Sequence, residues 1–283
     1  MQTKDKTIII CSIVRDAEYG LRNNIPIIQA LCEKFKDYHI VVYENDSRDH
    51  TKTLLQEWHD LCPEKIHVLI NDTDPTKTIP TENMVDGANP FFSRNRIEKM
   101  ASLRNKYMEY VEVQNWKADF LMVVDLDVSQ LYLEPILTSF AREDWDAVTA
   151  FGYSTSPKFK RRYHDSYALM EYGEEQNAKS ESNITMLAEK YGKLKPDDSW
   201  IRVDSAFGGV AIYRFDAVKN MRYQVLDNED PRVEVKCEHY SIYKQMKERG
   251  FDRFYINPGM CLLYQRVTWS IIKATLKRKL HIS

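Results

Sequence analysis

Within the first 70 residues, apolar β-branched runs alternate with helix-periodic segments, and no other feature narrows the fold as much. Thr7–Val14 reads as a buried strand. Residues 24–35 then place Ile27, Ile28, Leu31 and Phe35 at helical spacing. His39–Tyr43 is a second apolar run, closed by the turn-forming residues Glu44-Asn45-Asp46-Ser47. Residues 51–61 are helical again, with Leu54, Leu55, Trp58 and Leu61 on one side, and residues 66–70 form a third strand. Strands separated by helices pair in parallel through crossovers, so the class is α/β, with a mixed, mainly parallel sheet flanked by helices. Ligands of such sheets bind outside the carboxyl ends of the strands.

That edge is where the chemistry-bearing residues accumulate. Residues 71–92 lack periodicity and carry three prolines, which reads as a loop. Residues 96–113 form a strong helix, and residues 119–124 form a strand that ends directly in Asp125-Leu126-Asp127. Two hard carboxylate ligands one residue apart suit Mg²⁺ or Mn²⁺, which would hold and neutralise a diphosphate. The motif is short, and a strand end capped by solvated aspartates would look the same. Glu44 and Asp46 end the second strand; they can accept hydrogen bonds from a base or ribose, or simply make a turn. Arg104, on the helix before the acidic strand, can reach a diphosphate oxygen, or can be an exposed cation. Gly208-Gly209 permits close backbone approach to a ligand. Glu238 and His239 open a helix that Gly250 stops. There Glu238 is either a base or a plain helix-start residue, and His239 a base, a metal ligand or a structural ring.

Taken in order, these signals resemble the GT-A glycosyltransferases, particularly the large inverting family 2 group. They run through Arg15-Asp16, Glu44-Asn45-Asp46, Ala101-Ser102-Leu103-Arg104-Asn105, Asp125-Leu126-Asp127, Gly208-Gly209 and Glu238-His239. A looser similarity is to fungal capsule-associated mannosyltransferases. The resemblance implies that Arg15, Glu44, Asp46, Arg104, Asp125, Gly208 and Gly209 bind a nucleoside diphosphate sugar. It implies Asp125 and Asp127 as metal ligands for Mn²⁺ or Mg²⁺, with His239 as a further candidate ligand. The acceptor is then a hydroxyl of a glycan or lipid-linked glycan. In the family helix the base is an Asp at the position of His239, so the base here is Glu238 or His239. Two rivals stand beside this reading. One is a haloacid dehalogenase-type phosphatase with Asp125 as nucleophile, although three strands precede Asp125 where that class has its motif near the start. The other is a non-catalytic GT-A protein that binds nucleotide sugars.

Composition limits the partners. The chain has 40 Lys+Arg against 42 Asp+Glu, a formal net charge of -2, which provides no general drive toward nucleic acid. Five cysteines without a close pair argue for free thiols rather than a disulfide framework or a zinc site. No run approaches the roughly 20 apolar residues of a membrane span, so the expected location is the cytoplasm. The expected organisation is one domain over residues 1–266, with an insertion or lid at about 158–198. Residues 267–283, with Trp269, Ile271 and Ile272 among Lys273, Lys277, Arg278 and Lys279, read as a basic amphipathic helix suited to peripheral contact with an anionic membrane.

Overall fold

The computed structural model describes residues 3–72, 89–155 and 160–265. The proposed C-terminal basic helix lies outside these residues, as does most of the loop expected at 71–92. The strands are β1 (Thr7–Val14), β2 (Asp37–Asn45), β3 (Ile66–Asn71), β4 (Phe120–Val124), β5 (Ala147–Thr155), β6 (Arg161–Tyr163), β7 (Met170–Glu171), β8 (Ile201–Ser205), β9 (Val210–Arg214), β10 (Asp227–Asp230), β11 (Val233–Val235) and β12 (Phe254–Gln265). The helices are α1 (Glu18–Cys32), α2 (Thr51–Leu61), α3 (Arg94–Gln114), α4 (Leu133–Leu137), α5 (Glu181–Tyr191), α6 (Phe215–Val218) and α7 (Glu238–Glu248).

The main sheet runs β3-β2-β1-β4-β9-β5-β12-β8-β7, with β6 added on β5. Strands β3, β2, β1 and β4 are parallel, as the alternating sequence requires. Strand β9 then inserts antiparallel between β4 and β5, and β12 pairs parallel with β5. Both faces of the sheet are covered, which explains the continuous apolar runs. Ile9, Cys11, Val41, Leu121 and Val123 point to the face packed by Tyr107 and Met108 of α3 and by Ile242 and Met246 of α7. Ile8, Ile10, Ile40, Val42, Phe120 and Met122 point to the other face, against Leu21 and Ile28 of α1 and Trp58 of α2. Among the described residues no helix is long and apolar enough to cross a membrane, and all five cysteines are free thiols.

Read locally, the sequence gives a short strand over Phe254–Ile256 before the turn residues Asn257-Pro258-Gly259, but these residues do not end the last strand. The register of β12 on β5 shifts between Asn257 and Cys261, and the strand continues to Gln265. The Asn257 side chain accepts from Gly259 N at 2.9 Å, so a bulge absorbs the proline and glycine. In the stretch expected as an insertion or lid, described residues 160–198 are tied into the domain. Strand β6 pairs with β5 and β7 with β8, and Tyr163 and Leu187 are core residues.

Candidate active site

The carboxyl ends of β1, β2 and β4 open into a cleft with two adjoining lobes. The first, about 320 Å³, is lined by Arg15, Asn45, Arg96, Lys99, Arg104, Asp125, Asp127 and Tyr264 among others. The second, about 370 Å³, shares Arg96, Arg104, Asp125 and Tyr264, and adds Asp165, Tyr167, Phe207, Glu238 and His239.

The Asp125-Leu126-Asp127 turn is clamped by α1. Asn24 donates to Leu126 O at 3.1 Å and to Val128 O at 2.7 Å, and accepts from Leu131 N at 2.8 Å. A Cβ on Gly20 would stand 2.4 Å from Leu126 O, so only glycine lets α1 approach this closely. On the other side, Asp125 N donates to Gly209 O at 2.9 Å. Tyr264, carried in by the continued β12, donates its hydroxyl to Asp125 Oδ2 at 2.7 Å.

Arg104 joins the two lobes. On α3 it shares the inward face with Ile97, Ala101, Tyr107, Met108 and Val111, so it is a buried cation rather than a surface one. Its Nε donates to Glu238 Oε1 at 3.1 Å and its Nη2 to Asp125 Oδ1 at 3.5 Å. The guanidinium also lies 5.1 Å from the Phe207 ring centre, and its Nη1 has no protein partner. Burial nonetheless raises the Asp125 carboxyl, against the pull of Arg104 and the Tyr264 hydroxyl. Asp127 is exposed at the rim, but the cleft walls thin the water around its carboxylate. Desolvation first, and then the charge of Asp125, push it up to about 7. Two hard-oxygen donors, the one raising the proton affinity of the other, suit a divalent cation, so the donor set fits Mn²⁺ or Mg²⁺. Among the described residues no three His, Cys, Asp or Glu side chains gather around one point. A cation held here would therefore complete its shell with ligand oxygens or water.

The other sequence candidates fall around this centre. Glu44 is fully buried; its Oε1 accepts from Ser47 N at 2.7 Å, while Oε2 has no partner among the described residues. Asp46 is buried beside it with φ 59°, and Asn45 between them reaches the lining. Arg15 lies on the cleft wall, 3.7 Å from Asp16. Gly208 and Gly209, at φ 67° and 90°, act through packing. A Cβ on Gly208 would meet Ala150 O at 2.2 Å, and one on Gly209 would press on the Tyr264 ring at 3.0 Å. His239 is sealed against Phe207, ring centres 3.8 Å apart, with Tyr223 at its edge. Its Nε2 lies 3.8 Å from Glu238 Oε1, and neither ring nitrogen has a hydrogen-bond partner among the described residues. Burial, then Arg104, hold its imidazole well below the usual range.

Among the residues that sequence reasoning missed are Asn24, buried behind the acidic turn, and Tyr264 and Asp165, on the cleft wall. Asn24 was legible only as a polar residue on an apolar helix face. Tyr264 was hidden by the turn chemistry before it. Asp165 lay in a stretch without clear periodicity. Burial first, and then the charges of Asp125 and Glu238, push its carboxyl up to about 7, against the backbone N–H groups of Gly208 and Ala168.

A mixed, mainly parallel sheet flanked by helices on both faces is the fold of the GT-A glycosyltransferases. The chain belongs to the family described as Cryptococcal mannosyltransferase 1, whose model matches residues 7–244. No curated protein matches it in sequence. Among solved structures it is similar to the mannosyltransferase PcManGT from Pyrobaculum calidifontis, in complex with GDP-Man and Mn²⁺. That pair shares 12% identity and a TM-score of 0.50 over 98% of this chain and 61% of that one. A looser similarity is to residues 1–349 of S. aureus TarS, at 12% identity and a TM-score of 0.46 over 98% of this chain and 64% of that one. Glucosyl-3-phosphoglycerate synthase from Mycobacterium tuberculosis, with Mn²⁺, UDP and phosphoglyceric acid, gives 10% identity and a TM-score of 0.46 over 98% of this chain and 80% of that one. The chain thus spans about three fifths of the length of the first two structures. The phosphatase alternative falls with the family and with the placing of Asp125 after the fourth strand, beside antiparallel β9.

Proposed function

We propose that the chain moves a hexosyl or deoxyhexosyl group from a nucleoside diphosphate sugar to a hydroxyl of a glycan or lipid-linked glycan, with inversion. The observation that carries this reading is the junction at Arg104. One buried guanidinium reaches Asp125 in a lobe rich in cations and Glu238 in a lobe rich in carboxylates. A diphosphate suits the first lobe, where Arg15, Arg96, Lys99 and Arg104 stand with Asp125 and Asp127. Asp125 and Asp127 would hold Mn²⁺ or Mg²⁺, which when bound neutralises charge on the departing diphosphate. The nucleoside lies toward the end of β2, where Asn45 lines the lobe on the turn that Glu44 and Asp46 hold from beneath. Gly208 and Gly209 support the sugar side by letting β9 and Tyr264 close in.

On the second lobe Glu238 takes the acceptor proton as the new bond to the anomeric carbon forms and the bond to the diphosphate oxygen breaks. Arg104 positions Glu238, and His239 orients it from 3.8 Å rather than binding the cation. Basic residues 267–283 would bring the chain to an anionic lipid surface. The family description makes a GDP-mannose donor the first to try. The test is transfer to a glycan acceptor, with the anomeric configuration of the product read by NMR. Glu238→Gln is expected to keep nucleotide binding and to lose transfer by about 100-fold or more. A product of retained configuration, or near wild-type transfer by this variant, would overturn the base assignment. No turnover of any nucleotide sugar would overturn the function.

A further inference from the structure

The second lobe differs from the first in charge and in walls. Its ionisable lining includes the carboxylates Asp125, Asp165 and Glu238 against the guanidiniums Arg96 and Arg104. An anionic acceptor group is repelled there, whereas hydroxyl donors find acceptors. The three carboxylates are not equally available. Asp125 is engaged by Tyr264 and Arg104. Glu238 is engaged by Arg104 and, at 3.4 Å, by the Cys237 thiol. Asp165 is half-buried on the lobe wall, where the backbone N–H groups of Gly208 and Ala168 favour its charged form. A carboxylate has about four acceptor sites, so it keeps capacity facing the lobe.

The rim beside it is aromatic. Phe91 is 68% exposed, which is unusual for so large an apolar side chain, and it lines the same lobe. Its carbonyl is tied by Arg96 Nη1 at 3.0 Å, so the backbone that carries it is anchored. Phe92 packs on Tyr167, ring centres 4.7 Å apart, and the Tyr167 hydroxyl is already spent on Val235 O at 2.6 Å. The Tyr167 ring therefore presents surface rather than a donor. A carboxylate beside flat apolar faces matches a pyranose, which offers hydroxyls at its edge and C–H groups on its face.

We propose that Asp165 and the rim of Phe91, Phe92 and Tyr167 form the acceptor subsite, with Asp165 accepting hydrogen bonds from hydroxyls of an uncharged sugar ring. This rests on the glycosyl-transfer reading. It assigns Asp165 to binding, while Glu238 keeps the proton transfer.

The experiment uses the full chain, the nucleotide sugar that the wild type turns over, and a panel of methyl hexopyranosides with their 6-phosphates as acceptors. Asp165→Asn keeps the shape and one acceptor oxygen. It should raise the acceptor KM by about 10-fold, the scale of one hydrogen bond to a charged group, with donor KM and donor hydrolysis unchanged. Phe91→Ala, at an exposed position, should raise acceptor KM in the same direction by about threefold, and it decides the matter if the first variant does not fold. Neutral glycosides should serve better than their phosphates. The proposal is overturned if acceptor KM is unchanged in both variants. It is overturned if Asp165→Asn loses kcat alone, or if the phosphorylated acceptors bind more tightly. If the wild type neither transfers nor hydrolyses any nucleotide sugar, the functional reading itself fails. Donor hydrolysis without variant effects on acceptor KM condemns only the subsite.

Discussion

Arg104 and Glu238 form an ion pair 3.1 Å long, with side chains only 3% and 4% exposed, between a helix and a helix start 134 residues apart in sequence. Such a pair contributes little net stability, because desolvation offsets its attraction. Breaking it by removing one partner is different, since a buried charge is left alone.

Arg104→Met should therefore destabilise the protein by about 3–5 kcal/mol, because Glu238 and Asp125 lose their shared cation. The double variant Arg104→Met/Glu238→Met should recover much of that loss. Denaturant midpoints of the three proteins check this, and a double variant no more stable than Arg104→Met would contradict it. Neither variant should transfer sugar.

Metal binding should depend on pH through Asp127. Its carboxyl is raised to about 7, so below that pH a cation must displace a proton. Mn²⁺ affinity, measured with nucleoside diphosphate present, should rise from pH 6 to pH 8. Calorimetry in buffers of different ionisation enthalpy should show proton release at pH 6 and little at pH 8. Asp127→Asn should lose the Mn²⁺ dependence with an unchanged melting temperature, as the residue is exposed. Affinity independent of pH in this window would count against Asp127 as a ligand.

Asn24 touches no proposed substrate, yet it should control the metal site. Its three buried hydrogen bonds hold the backbone that positions Asp125 and Asp127. Asn24→Leu leaves two carbonyls and one N–H unpaired, at about 1–3 kcal/mol each. The expected result is a lower melting temperature and weaker Mn²⁺ binding together. Wild-type Mn²⁺ affinity in the folded variant would show that the clamp is only structural.

His239 should set part of the acid limit of stability. Burial and Arg104 depress its imidazole well below the unfolded value near 6.5, so the unfolded chain binds the proton first. A depressed histidine contributes stability that is fully present above about 6.5 and declines as pH falls below it. His239→Phe keeps an aromatic ring on Phe207 and removes this term. Its melting temperature should fall less than that of the wild type between pH 6.5 and pH 5, with Mn²⁺ affinity unchanged. His39 and His164, each lowered to about 4, contribute to both proteins and cancel in the comparison. Loss of Mn²⁺ binding would instead make His239 a ligand.

The order of residues alone determined the parallel block, the acidic turn after β4 and the acidic start of α7. Those follow from apolar runs, helical spacing and stop signals that act within about a dozen residues. Local order also made Arg104 a candidate, but it left open whether a helical cation faces water or the core. Tertiary structure decided that, by turning the Ile97–Ala101–Arg104–Met108 face of α3 inward, where Asp125 and Glu238 neutralise the guanidinium. It likewise brought Tyr264 onto Asp125 across 139 residues. Strand β12 pairs through a bulge with β5, and turn propensity outweighs so distant a partner when Asn257-Pro258-Gly259 is read locally. Asp165 reached the cleft for the same reason. The backbone N–H groups that favour its charge belong to Ala168 and to Gly208, and the glycine between β8 and β9 stands beside it only when the sheet is assembled. Charges and hydrogen bonds act through space, so sequence order names the groups while the packed sheet chooses their partners.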